Sequence, residues 1–462
     1  MKKILTIALL TSFLTINITP AVENTPKQFK SMVKKSKISD DYKFAYVNMD
    51  WWNGFGDAIL NEYITKAILN NYDLKMATLA VDEYYQNMKL QFANELPQLT
   101  VAGGYGVNKL PGSTKTSGAY GLPILANYEL DLFLKNRDKT KAVKKLYEGS
   151  KLDERAAYIS IASAVAAVYF NIATLDKIID LQEEIVDIRG QIYDLFLLRN
   201  KEGLTSTADT IKANKSLIAS KTNLIEFKKQ REQLLHQLCV LIGESPENAD
   251  NVKRCSIDNF NYEISTPESI PSEIIVNRPD YMKAELMVEK AGIDVRVAKK
   301  EFLPSINLNA LGLFNASELG SLFSTKAMLA SLGGGFVLPL FTGGAKVANL
   351  RLRKATYERI LQNYYKTNLI AMQEINDSLV ASKLDKEKML QTIEQYDLEK
   401  ENYSLNEKKY NQGVISKLDL IQFKENLLST ERLVVQQKVE CMMDAISLYK
   451  ATGSQPYEKL PQ

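Results

Sequence analysis

Asn277-Arg278-Pro279-Asp280, followed by Leu303-Pro304-Ser305 and Phe341, decides how this chain reads, because the same features occur earlier as Asn70, Asp73, Leu96-Pro97 and Phe133. Ala284 and Val288 fall likewise on Ala77 and Val81, at an offset of about 207 to 208 residues. The offset grows only to about 210 where Gly413, Asp419 and Gly453 fall on Gly203, Asp209 and Gly243. Register held over that length predicts a doubled unit. Each half reads as a helix, a Leu-Pro break, two alternating segments, a very long helix, a glycine turn and a last helix. The expected boundaries are 57–250 for the first repeat, 251–271 for a linker, 272–453 for the second repeat and 454–462 for a tail.

Beyond Pro97 the period changes from helical to two. Leu99, Val101, Gly103 and Tyr105 fall on one side, and Gln98, Thr100, Ala102 and Gly104 on the other. The return segment sets Tyr120, Leu122, Ile124, Tyr128, Leu130 and Leu132 against Gly121, Asn127, Glu129 and Asp131. Ile306, Leu308, Ala310 and Phe314, then Phe336, Leu338 and Leu340, repeat the parity in the second half, although Leu311 and Leu313 intrude on its polar side. A soluble sandwich alternates too, but it needs a second apolar layer, and here each strand pair is flanked by long helices. An apolar outer face around a polar interior is what a membrane β-barrel requires. Four strands cannot close around a lumen, and open edges are not tolerated in lipid, so the pattern calls for oligomerisation.

The long helices are expected near 135–199 and 344–409, each on the order of 95 Å at 1.5 Å per residue. The shorter helices, near 57–95, 204–243, 272–302 and 414–452, stack end to end against them in coiled-coil fashion. Ala156 to Leu175 has no charge and is long enough to cross a bilayer. Its repeat partner, 366–385, carries Lys366, Glu374, Asp377, Lys383 and Asp385. A pseudo-symmetric pair shares one solvent, so close helix packing explains the small residues better.

At the N-terminus, Met1-Lys2-Lys3, an apolar run to about Ile16 and Thr19-Pro20-Ala21 have the layout of a signal peptide over 1–21, with an extended segment over 22–56. An N-terminal anchor is the alternative, for which the run is short. The 462 residues carry a net charge of +3 from interspersed residues, so no basic face for nucleic acid is indicated. One histidine, His236, and three scattered cysteines leave little for a His/Cys metal site or a histidine-dependent triad, so no cofactor and no catalysis are expected. Cys239 and Cys255 lie about sixteen residues apart in an exported chain, a spacing that suits a disulfide.

These residues together resemble the TolC-like outer-membrane efflux channels, particularly those serving resistance-nodulation-division pumps. The signs are Asn277-Arg278-Pro279-Asp280 with Ala284-Glu285, Leu303-Pro304-Ser305, Tyr128-Glu129-Leu130-Asp131-Leu132-Phe133, Pro339-Leu340-Phe341 before Gly343-Gly344, and Leu448-Tyr449 before Gly453. The resemblance implies a homotrimer whose twelve-stranded β-barrel continues as a twelve-helix periplasmic tunnel, a passive duct that partners a periplasmic adaptor and an inner-membrane pump. It places the adaptor-contacting tips at Gly203-Leu204-Thr205 and Gly413-Val414-Ile415. It places a closed aperture at Asp209, Tyr410, Asp419 and Gln422, with a Tyr410–Asp209 bond. Gln422 and Ile415 stand where relatives have an acid and an arginine. Glu129 and Asp131 are expected on the lumenal strand face, and Phe133 and Phe341 in a periplasmic aromatic girdle. A type I protein-secretion duct and a periplasmic coiled-coil scaffold are the competing functions.

Overall fold

The computed structural model describes residues 51–109, 116–260 and 272–453. The expected signal peptide, most of the N-terminal segment, part of the linker and the tail lie outside the described residues. The chain opens with a short 3-10 turn, Trp51–Phe55, and then α1 (Ala58–Asn70) and α2 (Tyr72–Ala93). Next come β1 (Gln98–Val101), β2 (Gly104–Lys109) and β3 (Thr116–Leu130), then α3 (Lys135–Lys201) and α4 (Thr207–Leu241). The second half runs α5 (Pro279–Lys300), β4 (Ser305–Ala316), β5 (Met328–Val337), α6 (Ala345–Asn411) and α7 (Lys417–Ala451). Corresponding helices match in length: 67 residues for α3 and α6, 35 for α4 and α7, and 22 for α2 and α5.

The expected helix over 57–95 is two helices, and the cause is Asn71. Its side chain caps α2 by accepting from the Leu74 N–H at 3.0 Å, and its amide donates to the Leu241 carbonyl at 2.9 Å. Its own backbone leaves helical geometry at ψ 130. The break therefore comes from a tertiary partner, which a helical stripe running on past Asn71 does not reveal.

α3 is the axis of the helical part, in contact with α1, α2, α4, α5 and α7. Its charge-free stretch is long and apolar enough to cross a membrane by composition, yet Ala162, Val165, Ala166, Tyr169, Phe170, Ile172 and Ala173 are all buried in helix packing. Small residues there let neighbouring helices approach, as expected. Trp51, Phe55 and Phe260 close over Tyr169 and Phe170, with Phe55 and Phe170 centroids 4.7 Å apart and Trp51 stacked on Tyr449 at 4.9 Å. Burying each such ring stabilises by roughly 1.5–3 kcal/mol.

Asp57 sits under this cluster, and each of its oxygens is satisfied. Oδ1 accepts from the Ile59 and Leu60 N–H groups, capping α1, and Oδ2 accepts from Tyr169 Oη at 2.7 Å. Tyr169 Oη in turn accepts from the Cys255 backbone N–H at 3.2 Å. Burial, and then the Asp57 carboxylate, push the Tyr169 phenol well above its ordinary value, so it stays a donor.

β1 and β2 form one strand line, because Val101 faces Ile124 and Gly104 faces Gly121 without a change of register against β3. β3 then pairs with β4, and β4 with β5, all antiparallel. The β3–β4 pairing joins the two halves, leaving the β1/β2 line and β5 as open edges. No long helix packs across either face of the sheet.

Candidate functional site

The register sorts the sheet into two unlike faces. Across one row lie Val101, Ile124 and Gly312; across others lie Tyr128, Leu308 and Gly334, and Leu130, Ile306 and Phe336. From Leu99 to Val107 and from Gly118 to Leu130, and along β4 and β5, this face is apolar or glycine, with Lys109 and Thr116 paired at its far end. Leu332 is 85% exposed and Phe336 74%. The opposite face holds the row Gln98, Asn127, Asn309 and Gly333, and beside it Glu129, Asn307 and Gly335. The parity expected from period two is thus the parity of the structure.

Where the strands meet the helices, one expectation changes. β3 ends at Leu130, so Asp131 is not a strand residue on the polar face. Its Oδ1 accepts from the Lys135 N–H at 2.6 Å and its Oδ2 from the Arg137 N–H at 2.9 Å. It caps the N-terminus of α3, where free N–H groups and the helix dipole favour a carboxylate. Glu129 does lie in β3 on the polar face, with its carboxylate 2.6 Å from Lys135 Nζ. Phe133 and Phe341 are exposed but sit beyond the strand ends rather than on them. One turn further, buried Asp138 takes Arg296 at 2.8 Å and Lys300 at 2.7 Å, tying α3 to α5. Burial favours its neutral form, but those two donors outweigh it and hold the carboxyl below its ordinary value.

At the far end of the helices the two turns are built alike. Gly203 (φ 70) and Gly413 (φ 73) take the left-handed conformation that ends a helix cheaply only with glycine. The Leu204 N–H reaches the Arg199 carbonyl at 2.8 Å and the Val414 N–H the Lys409 carbonyl at 2.9 Å, closing equivalent C-caps. Leu204 and Val414 project into solvent at 69% and 66% exposure, while Thr205 and Ile415 are half-buried. Asp209 and Asp419 are exposed and occupy the third positions of their helices. Asp209 holds Ser206 at 2.7 Å and Asp419 holds Ser416 at 2.7 Å, the latter in a full capping box. The Ser416 hydrogen bonds lower the Asp419 carboxyl below its ordinary value. Within the chain Asp209 and Tyr410 are not bonded to each other: Asp209 is engaged by Ser206, and Tyr410 is exposed. Gln422 is exposed and reaches Asn426 at 3.4 Å.

Cys239, Cys255 and Cys441 are all free thiols, so the expected bridge between the first two is not formed in the structure. Cys239 is fully buried in the helical core, whereas Cys255 is half-buried with its backbone N–H donating to Tyr169 Oη at 3.2 Å. His236 is an exposed residue on α4. Among the described residues no cluster of histidine, cysteine or carboxylates has the arrangement of a metal site.

One pair that the sequence left unnoticed is Asp385 on α6 with Asp444 on α7. Burial, and then the nearby Asp385 carboxylate, raise Asp444 to about 6, and its Oδ2 is buried without a partner. Glu440 adds to the shift and Lys388 opposes it. A folded-state value above the unfolded one means that this group stabilises the hairpin below about pH 4, and that the contribution is lost as pH rises through about 6. Asp444→Asn is therefore expected to raise the dissociation temperature at pH 7.5 but hardly at pH 4.5. A shift of equal size at both pH values would refute the titration.

A sheet open at both edges and greasy on one face, carried on two long helical hairpins, defines a membrane-inserting protein with a helical stalk. Residues 63–244 and 270–454 match the family model described as outer membrane efflux protein. The probable efflux pump outer membrane protein TtgC of Pseudomonas putida is 26% identical over 425 residues, covering 90% of this chain and 87% of that protein. The cation efflux system protein CusC of Escherichia coli is 26% identical over 416 residues, covering 88% and 89%. The CmeC outer membrane channel of Campylobacter jejuni superposes with a TM-score of 0.81 at 23% identity, covering 92% of each chain. The open-state MtrE channel of Neisseria gonorrhoeae does so with 0.78 at 23% identity, covering 90% of this chain and 95% of that one. The chain belongs to the outer membrane efflux protein family.

Proposed function

We propose that the protein is the passive exit duct of a tripartite efflux system, three copies closing one twelve-stranded barrel and a twelve-helix tunnel. The observation that carries this reading is the sheet itself: one face predominantly apolar, the other holding the asparagine, glutamine and glutamate side chains, and both edges unpaired. In hydrocarbon each edge N–H and C=O left open costs several kcal/mol, and closure by further copies removes that cost. A periplasmic scaffold without strands does not fit. The relatives, a probable efflux pump component and a cation efflux protein, favour efflux over protein secretion.

At the other end the exposed Leu204 and Val414, on turns of the same construction, suit contact with an adaptor, together with Gly203, Thr205, Gly413 and Ile415. Asp209, Tyr410, Asp419 and Gln422 are exposed near these turns. Any bond that Tyr410 makes to Asp209 therefore forms between chains, in a closed aperture that adaptor and pump open. The inner-membrane pump supplies the energy.

Detergent extraction from outer membranes is expected to yield a trimer that dissociates on heating, and reconstitution is expected to give single-channel conductance that rises in Tyr410→Phe/Asp209→Ala at unchanged trimer yield. A monomer without conductance would overturn the duct. Normal trimers with wild-type conductance in the double variant would move the gate elsewhere.

A further inference from the structure

The polar face of the sheet is not polar throughout. Leu125 pairs with Leu311 in one row, and in the next row Pro123 pairs with Leu313 and Leu313 with Leu329. Rows two residues apart on one face lie about 7 Å from each other. These five side chains therefore form a continuous aliphatic ledge on the face whose rows nearer the helices hold Gln98, Asn127, Asn309, Glu129 and Asn307. Leu329 is 58% exposed and Leu125 40%, and no helix covers them.

Its surroundings are uncharged. On the side of the helices it is bordered by the amides of Gln98, Asn127 and Asn309, which donate and accept hydrogen bonds and so favour neither sign of charge. Among the described strand residues of this face the one charge is Glu129, and Lys135 neutralises it at 2.6 Å. A bare or hydrated metal ion finds no free carboxylate here. A molecule with an apolar surface finds wetted leucines, and contact removes both surfaces from water.

We infer that the ledge is a cargo-contact site selecting organic molecules with substantial apolar surface over small hydrated ions. The inference rests on the duct reading, which puts this face toward the lumen and repeats the ledge around it. Contact is brief because the ledge is open and only two rows deep, as a conduit needs: enough attraction to admit cargo, too little to retain it.

Two cations of equal charge isolate the apolar contribution. Tetrabutylammonium and tetramethylammonium, added at the barrel mouth of channels in planar bilayers, are expected to half-block current at concentrations about tenfold apart, tetrabutylammonium being the stronger. Leu311→Asn/Leu313→Asn should bring the two within about twofold. Leu329→Ser, on the edge strand and easily accommodated, should reduce the difference by itself and serves if the double variant fails to assemble. Equal block by both ions in wild type overturns the ledge, as does an undiminished preference in variants that form normal trimers. Wild-type protein that gives no channels overturns the duct reading, and the ledge with it.

Discussion

Leu308→Lys is expected to abolish assembly in the outer membrane, while Asn307→Lys, one residue away, leaves heat-dissociable trimer near the wild-type level. Leu308 shares a row with Tyr128 and Gly334 on the apolar face. A Cβ placed on Gly334 would lie 3.1 Å from the Leu308 side chain, so that row is close-fitting as well as greasy. A lysine facing lipid costs from ~1 kcal/mol near an interface to ~2–4 kcal/mol at the midplane, and a trimer incurs the cost three times. Asn307 instead pairs with Glu129 on the opposite face, where an added ammonium meets a carboxylate and water. Val101→Lys and Thr100→Lys, on the β1 edge strand, should divide the same way. Immunoblots of unheated and heated membrane fractions read the outcome, and equal loss from both faces would argue against an inserted barrel.

That contrast was legible because a strand's side-chain period of two needs no tertiary information: one correct parity fixes every row. The helix lengths were nearly as accessible, since Pro97, Gly203, Gly243 and their repeat partners punctuate the pattern at both ends. Asn71 and Asp131 escaped for a shared reason. Each ends one element and caps the next through its side chain, so its role depends on where a neighbouring N–H or carbonyl arrives, whereas apolar spacing runs straight across it. The Asp385–Asp444 pair escaped because helical spacing shows that each lies on a face, not which faces of α6 and α7 meet. The tip residues were placed at the turns by the repeat, but the turns explain Asp209 and Asp419 as caps. Their part in an aperture depends on neighbouring copies.

Arg278→Ala should be strongly destabilising in the helical part, by about 3 kcal/mol, because it removes a buried guanidinium whose charge-assisted hydrogen bonds join a carbonyl to two half-exposed carboxylates. Arg278 is 6% exposed. Its Nη1 donates to the Ala451 carbonyl at 2.8 Å, at the end of α7, and its Nη2 reaches Glu374 at 2.6 Å and Asp280 at 2.7 Å. One guanidinium thereby fastens α5, α6 and α7 with donors in a fixed fork, which a lysine cannot reproduce, so Arg278→Lys should recover only part of the loss. The first half makes the same clasp with a neutral group, Asn71 on the Leu241 carbonyl, and Asn71→Ala should cost only ~1–3 kcal/mol. The acid limb tells the two apart. Burial works against ionisation of Asp280, but the Arg278 hydrogen bonds and charge prevail and lower its value below the ordinary 3.8. A lowered folded-state value gives stability that is present above the unfolded value and lost as pH falls through the folded one. Wild type and Asn71→Ala should therefore both weaken steeply below about pH 4, while Arg278→Ala, already without the pairing, shows a shallower acid limb. Denaturant midpoints measured between pH 3 and 7 decide it, and an unchanged limb in Arg278→Ala would mean that the arginine is held by packing rather than by its carboxylates.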